Sequence, residues 1–395
     1  MSKKSQPQPK PSTGYSDAAK TVVQQTTLRV QEMHRAIAAQ SFDVLTKIPL
    51  ISGPAQVVQK AHDAISTGVY AAIHHGAGGV LGAASLLEQS HSDFVDEKPP
   101  GRLASGVRSA LNGAFGDHLA ASNNRLAINM ALHQDGAPVA LEAEALRSAY
   151  PMAGKKICLF IHGLSYDEHC WVPGKAESES TCEFGPRLQN EFGYTALYLR
   201  YNTGLPIADN GANLSAFLDE LIATWPVRDG ELLIIGHSMG GLISLAACQQ
   251  ATSVTSAWLR STRMLICLGS PHLGSPVERL GHLAHGILNQ SKITAPLGKI
   301  AGARSQGIKD LRHGPGAPVA SAMPDTLAYR FLGGSLAGDA EHPFSEFFGD
   351  GLVTPTSATS HDMTGDVQSA KIGGIGHMEL LTDQRVYRQI REWLI

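Results

Sequence analysis

The chain predicts an α/β fold class, a mostly parallel sheet covered by helices on both faces, and three observations carry that reading. Short continuous apolar runs at 157–161 (Ile-Cys-Leu-Phe-Ile), 195–199, 232–235, 264–268 and 327–332 suit strands buried on both sides. Helix-like segments at 182–192, 211–225 and 239–251 lie between them, so the repeating unit is strand, helix, strand. The run from Glu231 passes directly into Gly236-His237-Ser238-Met239-Gly240-Gly241, a strand-to-helix turn built around a serine.

At 395 residues the chain has room for one large domain and a smaller one. Residues 1–15 carry Lys3, Lys4 and Lys10 among Ser, Gln and Pro, with no apolar stretch or small-residue cleavage site. They read as a disordered tail on a cytoplasmic protein, not as a secretory signal. Residues 16–120 read as a helical region. Val23, Val30, Ile37 and Val44 recur along one face, Pro49 and Ser52-Gly53-Pro54 stop that helix, and a second helical run follows. The small-residue stretch at 65–87 is interrupted by His74, His75 and glycines, which argues against a membrane span. These helices would pack on the rest of the chain or on a partner, or meet a lipid surface.

The domain at 121–395 opens with an alternating segment, Arg125 to His133, a turn at Asp135-Gly136 and a return at Val139 to Leu141, the signature of a hairpin. Its apolar runs then alternate with helices up to a last helix at about 382–394. Residues 276–324 form an insertion with Leu280, Leu283, Ile287 and Leu288 at helical spacing, followed by Ile293, Leu297 and Ile300, which suits an amphipathic cap.

The turn around Ser238 is the chemical centre of this reading. With 41 glycines in the chain, about 0.3 chance matches to G-x-S-x-G are expected, so the pentapeptide needs its context. Hairpin, buried strands and serine turn together resemble the α/β-hydrolase superfamily over about 125–395, and within it the serine lipases and esterases. The resemblance implies a mostly parallel sheet with a helical cap insertion and a nucleophile at Ser238. It also implies an oxyanion hole from the backbone N–H groups of Met239 and of Leu164, in the strand-ending Ile161-His162-Gly163-Leu164. A general base is expected near the C-terminus. His377, in Gly373-Gly374-Ile375-Gly376-His377-Met378, lies late enough among the 17 histidines, with His361 in reserve.

The acid of the trio is expected between the two, in a loop holding Asp339, Glu341, Glu346 and Asp350. Gly349-Asp350-Gly351-Leu352-Val353 resembles the acid loop of bacterial lipases, which selects Asp350 and leaves Asp339 as the alternative. His162, Gly163, His237 and His272 would line the substrate site. The run Leu268-Gly269-Ser270-Pro271-His272-Leu273-Gly274-Ser275-Pro276 is similar to one in GPI inositol-deacylase-like domains. The expected activity is cleavage of a hydrophobic carboxylic ester, with neither metal nor organic cofactor. Acyl transfer or thioester cleavage on the same trio stays open, as does a lipid- or granule-associated binding protein on a hydrolase scaffold.

A formal net charge of -3 gives no electrostatic pull toward nucleic acid, which is not expected as a partner. Of the five cysteines, Cys158, Cys248 and Cys267 sit in apolar runs and read as core residues. Cys170 and Cys182 flank a polar loop and would pair only in an oxidising compartment.

Overall fold

The computed structural model describes residues 101–173, 180–251, 256–275, 305–313, 327–339, 349–359, 363 and 365–395. The expected tail, most of the helical region and the cap outside 305–313 lie outside these residues. In chain order the elements are α1 (Arg102–Ala121), β1 (Ala131–Gln134), β2 (Ala137–Val139), α2 (Ala143–Ala149), β3 (Lys156–Ile161), α3 (Phe184–Phe192), β4 (Tyr194–Arg200) and α4 (Ile207–Thr224). There follow β5 (Glu231–His237), α5 (Met239–Gln250), α6 (Ala257–Ser261), β6 (Thr262–Leu268), α7 (Gln306–His313), β7 (Ala328–Ser335), α8 (Pro355–Thr359), β8 (Val367–Gly373) and α9 (Gln384–Leu394). Short 3₁₀ turns occur at Glu168–Trp171 and Glu379–Leu381.

One eight-stranded sheet runs in the order β2-β1-β4-β3-β5-β6-β7-β8. The strands from β4 to β8 in that order pair in parallel, and β1 joins antiparallel to β4 through Leu132 opposite Leu199. The unbroken apolar runs have a direct cause in packing. Along β3, Ile157, Leu159 and Ile161 enter one core while Cys158 and Phe160 enter the other, and β5 divides Leu232 and Ile234 from Leu233 and Ile235 in the same way. Both sides of each strand must be apolar because both are covered. Leu214, Leu218 and Leu221 of α4 with Leu242 and Ile243 of α5 close the first face. Phe184 and Leu188 of α3 with Val386, Tyr387 and Ile390 of α9 close the second.

The hairpin forms at the expected turn but is shorter than its alternation suggests, since β1 begins at Ala131 and not at Arg125. Asp135 (φ 52°) and Gly136 (φ 81°) both take positive φ, the pair a tight two-residue hairpin turn demands. The edge strand β8 was not anticipated. Its sequence, Val-Gln-Ser-Ala-Lys-Ile-Gly, is half exposed and lacks the apolar run that marks its neighbours.

The chain groups into two compact units. One holds residues 98–117, 128–298 and 304–395, so the first four turns of α1 belong with the sheet. There the Asn202 amide donates to the Gly116 carbonyl (2.9 Å) and the Ile128 N–H donates to Asn112 Oδ1 (2.9 Å). In the other, residues 118–127 are described: the end of α1 and a turn with Asn123 at φ 50°. Among the described residues no helix is long and apolar enough to cross a membrane.

Helix α5 packs directly on the end of β3. A Cβ at Gly240 would stand 2.3 Å from the Ile161 carbonyl oxygen and 2.7 Å from that of His162. Backbone cannot swing aside as a side-chain tip can, so Gly240→Ala is expected to cost about 1–3 kcal/mol or more in urea unfolding. An unchanged unfolding midpoint would contradict this packing.

Candidate active site

Ser238 follows β5 without an intervening residue and caps the N-terminus of α5 at φ 53° and ψ -120°. A non-glycine residue at such angles carries strain of about 1–3 kcal/mol, which the surroundings must hold. Its N–H donates to the Leu268 carbonyl (2.8 Å) at the end of β6, and its carbonyl accepts from the Gly241 N–H (3.1 Å). Gly236 supplies the clearance, since a Cβ there would lie 2.5 Å from the Gly241 nitrogen. Met239 opens the helix, where backbone N–H groups have no partner within it.

The Asp350 and His377 side chains meet 27 residues apart. Asp350 Oδ2 lies 2.7 Å from His377 Nδ1, and the His377 N–H donates to the Asp350 carbonyl (2.9 Å). The other carboxylate oxygen accepts the N–H groups of Leu352 (3.0 Å) and Val353 (2.8 Å), which fixes the acid in its loop. An ionised carboxylate only accepts, so Nδ1 carries the ring proton and Nε2 is left as the basic nitrogen. Both residues are buried, Asp350 at 3% and His377 at 6% exposure. Asp339, the alternative acid, is exposed on the β7 loop. His361 lies outside the described residues.

Two contacts bring this pair to the serine turn. The ring of His237, beside Ser238, stands 4.6 Å from the ring of His377 and bonds the His377 carbonyl through Nε2 (3.0 Å). A Cβ at Gly269 would fall 3.2 Å from Asp350 Oδ2 and 3.3 Å from His377 Cε1, one residue past the carbonyl that holds Ser238. Residues 268 and 269 at the end of β6 thus touch both halves of the site.

The loop after β3 closes over the turn. At Gly163 a Cβ would lie 3.0 Å from that of Ser238 and 3.2 Å from His237 Nδ1, which brings the Gly163-Leu164 backbone against the serine. His162 is fully buried. Its Nδ1 donates to the Gly163 carbonyl (2.9 Å), its ring stacks on Tyr201 (4.7 Å), and the Tyr201 hydroxyl donates to the His162 carbonyl (3.0 Å). His162 and His237 therefore act on backbone, fixing the loops that carry Leu164 and His377. His272 is half-buried at the start of the β6–β7 connection, its ring edge-on to Phe331 at 4.8 Å. Sequence reasoning passed over Tyr201 and over Trp171, whose ring lies 6.5 Å from that of His237. The signal for Tyr201 was an aromatic residue directly after a strand, at the sheet end where Ser238 sits.

Burial holds the imidazoles of His162 and His237 below the ordinary histidine range, and His377 beside His237 adds to the effect. An unfolded histidine takes a proton at about pH 6.5, before these folded ones do. The stabilisation is complete above that pH and is lost as pH falls below it, because the unfolded chain then binds more protons. The urea midpoint is expected to drop between pH 7 and pH 5. A midpoint that holds or rises across that window would contradict neutral burial of these rings.

Residues 158–292 match the family described as the PGAP1-like alpha/beta domain. No curated protein matches the chain. Among solved structures, the mature form of a Bacillus licheniformis lipase is 21% identical and has a TM-score of 0.42, with 60% of this chain and 90% of that one covered. A thermophilic esterase from Thermogutta terrifontis is 15% identical, has a TM-score of 0.38, and covers 61% of this chain and 90% of its own. A phospholipase from Legionella pneumophila is 16% identical, with a TM-score of 0.35 over 51% of this chain and 45% of its own. The sheet order, the serine turn after β5 and the match over residues 158–292 give this chain the α/β-hydrolase fold.

Proposed function

We propose that the protein is a serine hydrolase of carboxylic esters, with Ser238 as nucleophile, His377 as general base and Asp350 as the acid that orients it. The observation that carries this reading is the buried Asp350–His377 hydrogen bond of 2.7 Å, set against the strand end that also holds Ser238. In such a site His377 Nε2 takes the hydroxyl proton as Ser238 Oγ attacks the ester carbonyl. The imidazolium that forms is stabilised by Asp350. The N–H groups of Met239 and Leu164 receive the oxyanion. As the tetrahedral adduct collapses, His377 returns the proton to the leaving alcohol and an acyl-enzyme remains. Water, deprotonated by the same histidine, then releases the acid. A hydrophobic acyl group is the reading favoured by the apolar positions along 280–300.

Hydrolysis of p-nitrophenyl esters from short to long acyl chains tests this directly. Ser238→Ala is expected to lower kcat/KM by about 10³-fold or more, and Asp350→Asn by about 10²–10⁴-fold. Asp339→Asn should stay within about twofold of the native rate, because the His377 Nδ1 is held by Asp350. Equal rates for the native protein and Ser238→Ala would remove the nucleophile assignment. A rate that peaks at the shortest acyl chain would remove the preference for hydrophobic acyl groups.

A further inference from the structure

The two donors proposed for the oxyanion differ in what holds them. The Met239 N–H opens a helix, whereas the Leu164 N–H sits in a turn between β3 and the 3₁₀ segment Glu168–Trp171. Ser165, the next residue, stands at φ 63°, in the left-handed region that a non-glycine residue keeps only where its surroundings fix it. Asp167 then caps the 3₁₀ segment, its Oδ1 accepting the His169 N–H (3.1 Å). Tyr201 anchors the start of this loop at His162, so its course from 163 to 167 depends on what touches Ser165 and Asp167.

Two hydroxyls from separate elements make those contacts. The Ser165 N–H donates to Thr203 Oγ1 (3.0 Å), just past the end of β4, and Ser105 Oγ of α1 donates to Asp167 Oδ2 (2.6 Å). Ser105, Asp167 and Thr203 are all buried. Burial would raise the Asp167 carboxyl, but the Ser105 bond and the Arg200 guanidinium outweigh it and hold the acid below the usual carboxylate range. At neutral pH it is therefore an ionised acceptor. Helix α1 itself lies against the loop, since a Cβ at Gly113 would fall 2.8 Å from Ser165 Cβ and 3.1 Å from Ser165 Cα. It is fixed in turn from other elements. The Gly113 carbonyl accepts Ser305 Oγ (2.5 Å), the Gly116 carbonyl accepts the Asn202 amide (2.9 Å), and Asp117 Oδ2 accepts the Gln306 N–H (2.9 Å).

We propose that Ser105, Asp167 and Thr203 are positioning residues for the proposed hydrolysis, holding the Leu164 N–H where it and the Met239 N–H reach one oxyanion; the assignment rests on Ser238 being the nucleophile. They act through backbone. Thr203 fixes the peptide that joins Leu164 to Ser165, and Ser105 fixes the turn at Asp167. Helix α1, which precedes the first strand, thereby becomes part of the catalytic unit. A donor stabilises the oxyanion only within about 2.7–3.1 Å of it, and losing one costs about 10²–10³-fold in kcat. A donor that is displaced, not removed, loses part of that. Because the charge exists in the transition state and not in the bound ester, the loss falls on kcat and leaves KM in place.

The test uses the full chain and counts working sites by titration with a fluorophosphonate, so that misfolded protein drops out of the rate. Per titrated site, Ser105→Ala and Thr203→Val should each lower kcat on a p-nitrophenyl ester by about tenfold or more, with KM within about twofold of native. Octyl trifluoromethyl ketone reads the oxyanion hole directly. Ser238 Oγ adds to its carbonyl carbon, His377 takes the hydroxyl proton, and the former carbonyl oxygen bears the charge. Its Ki should rise by about the same factor as kcat falls. Thr203→Ser keeps the hydroxyl and should recover most of the rate. Ser122→Ala, whose hydroxyl bonds the His118 carbonyl of its own helix (2.8 Å), should match the native protein. Where Thr203→Val fails to fold, Ser105→Ala decides, since alanine suits a helix interior. Unchanged kcat and Ki in the folded variants, a loss confined to KM, or a Thr203→Ser variant as slow as Thr203→Val would overturn the positioning roles and leave Ser238 as nucleophile. A native chain that takes up no fluorophosphonate would instead remove the serine-hydrolase reading, and these roles with it.

Discussion

The serine turn depends on a separation that only glycine permits. For Ser238 to stand at φ 53° above the sheet, the first turn of α5 must lie almost on the backbone of β3 and β5, and Gly236 and Gly240 remove the side chains that would prevent it. The rest of the site follows from that approach. With α5 pressed to the sheet, its first turn, the loop after β3 and the end of β6 meet around Ser238. Strain at one residue is stable here because the Leu268 carbonyl and the Gly241 N–H bind both sides of the serine backbone.

Electrostatics at the site are organised by burial. Asp350 gives one oxygen to His377 and the other to two backbone N–H groups, so its orientation does not depend on solvent. His237, neutral and buried, binds the His377 carbonyl and holds the main chain where the acid holds the ring. The His377 ring is thus located twice, through its side chain from β7's loop and through its backbone from the serine turn. Such double anchoring keeps a loop side chain in place without rigid secondary structure around it.

Much of this was legible in the sequence where local pattern and tertiary environment agree. The five central strands were visible because a strand covered on both faces must be apolar at every position, as Ile157 to Ile161 is. The Ser238 turn was visible because its constraint is local. Strand β8 was not, since its outer positions Gln368, Ser369 and Lys371 belong to a half-exposed edge and mimic a loop. Asp350 could be preferred to Asp339 only by resemblance, because what distinguishes them is which carboxylate reaches His377 across the sheet end. The buried Arg200–Glu168 ion pair was invisible for a related reason, since its members lie 32 residues apart and meet only in the folded chain.

All five cysteines are free thiols; four are buried, and three of those, Cys158, Cys248 and Cys267, lie on β3, α5 and β6. Cys158 points into the core beneath α3 and α9, while Cys248 and Cys267 belong to the core beneath α4 and α5. Burial pushes the Cys248 thiol up to about 12 and the other two up as well, so none forms thiolate in the folded chain at neutral pH. Each becomes reactive only when the helices over it lift. The molecule therefore carries a chemical reporter in each of its two layers, and the order in which those thiols become alkylated records which layer opens first.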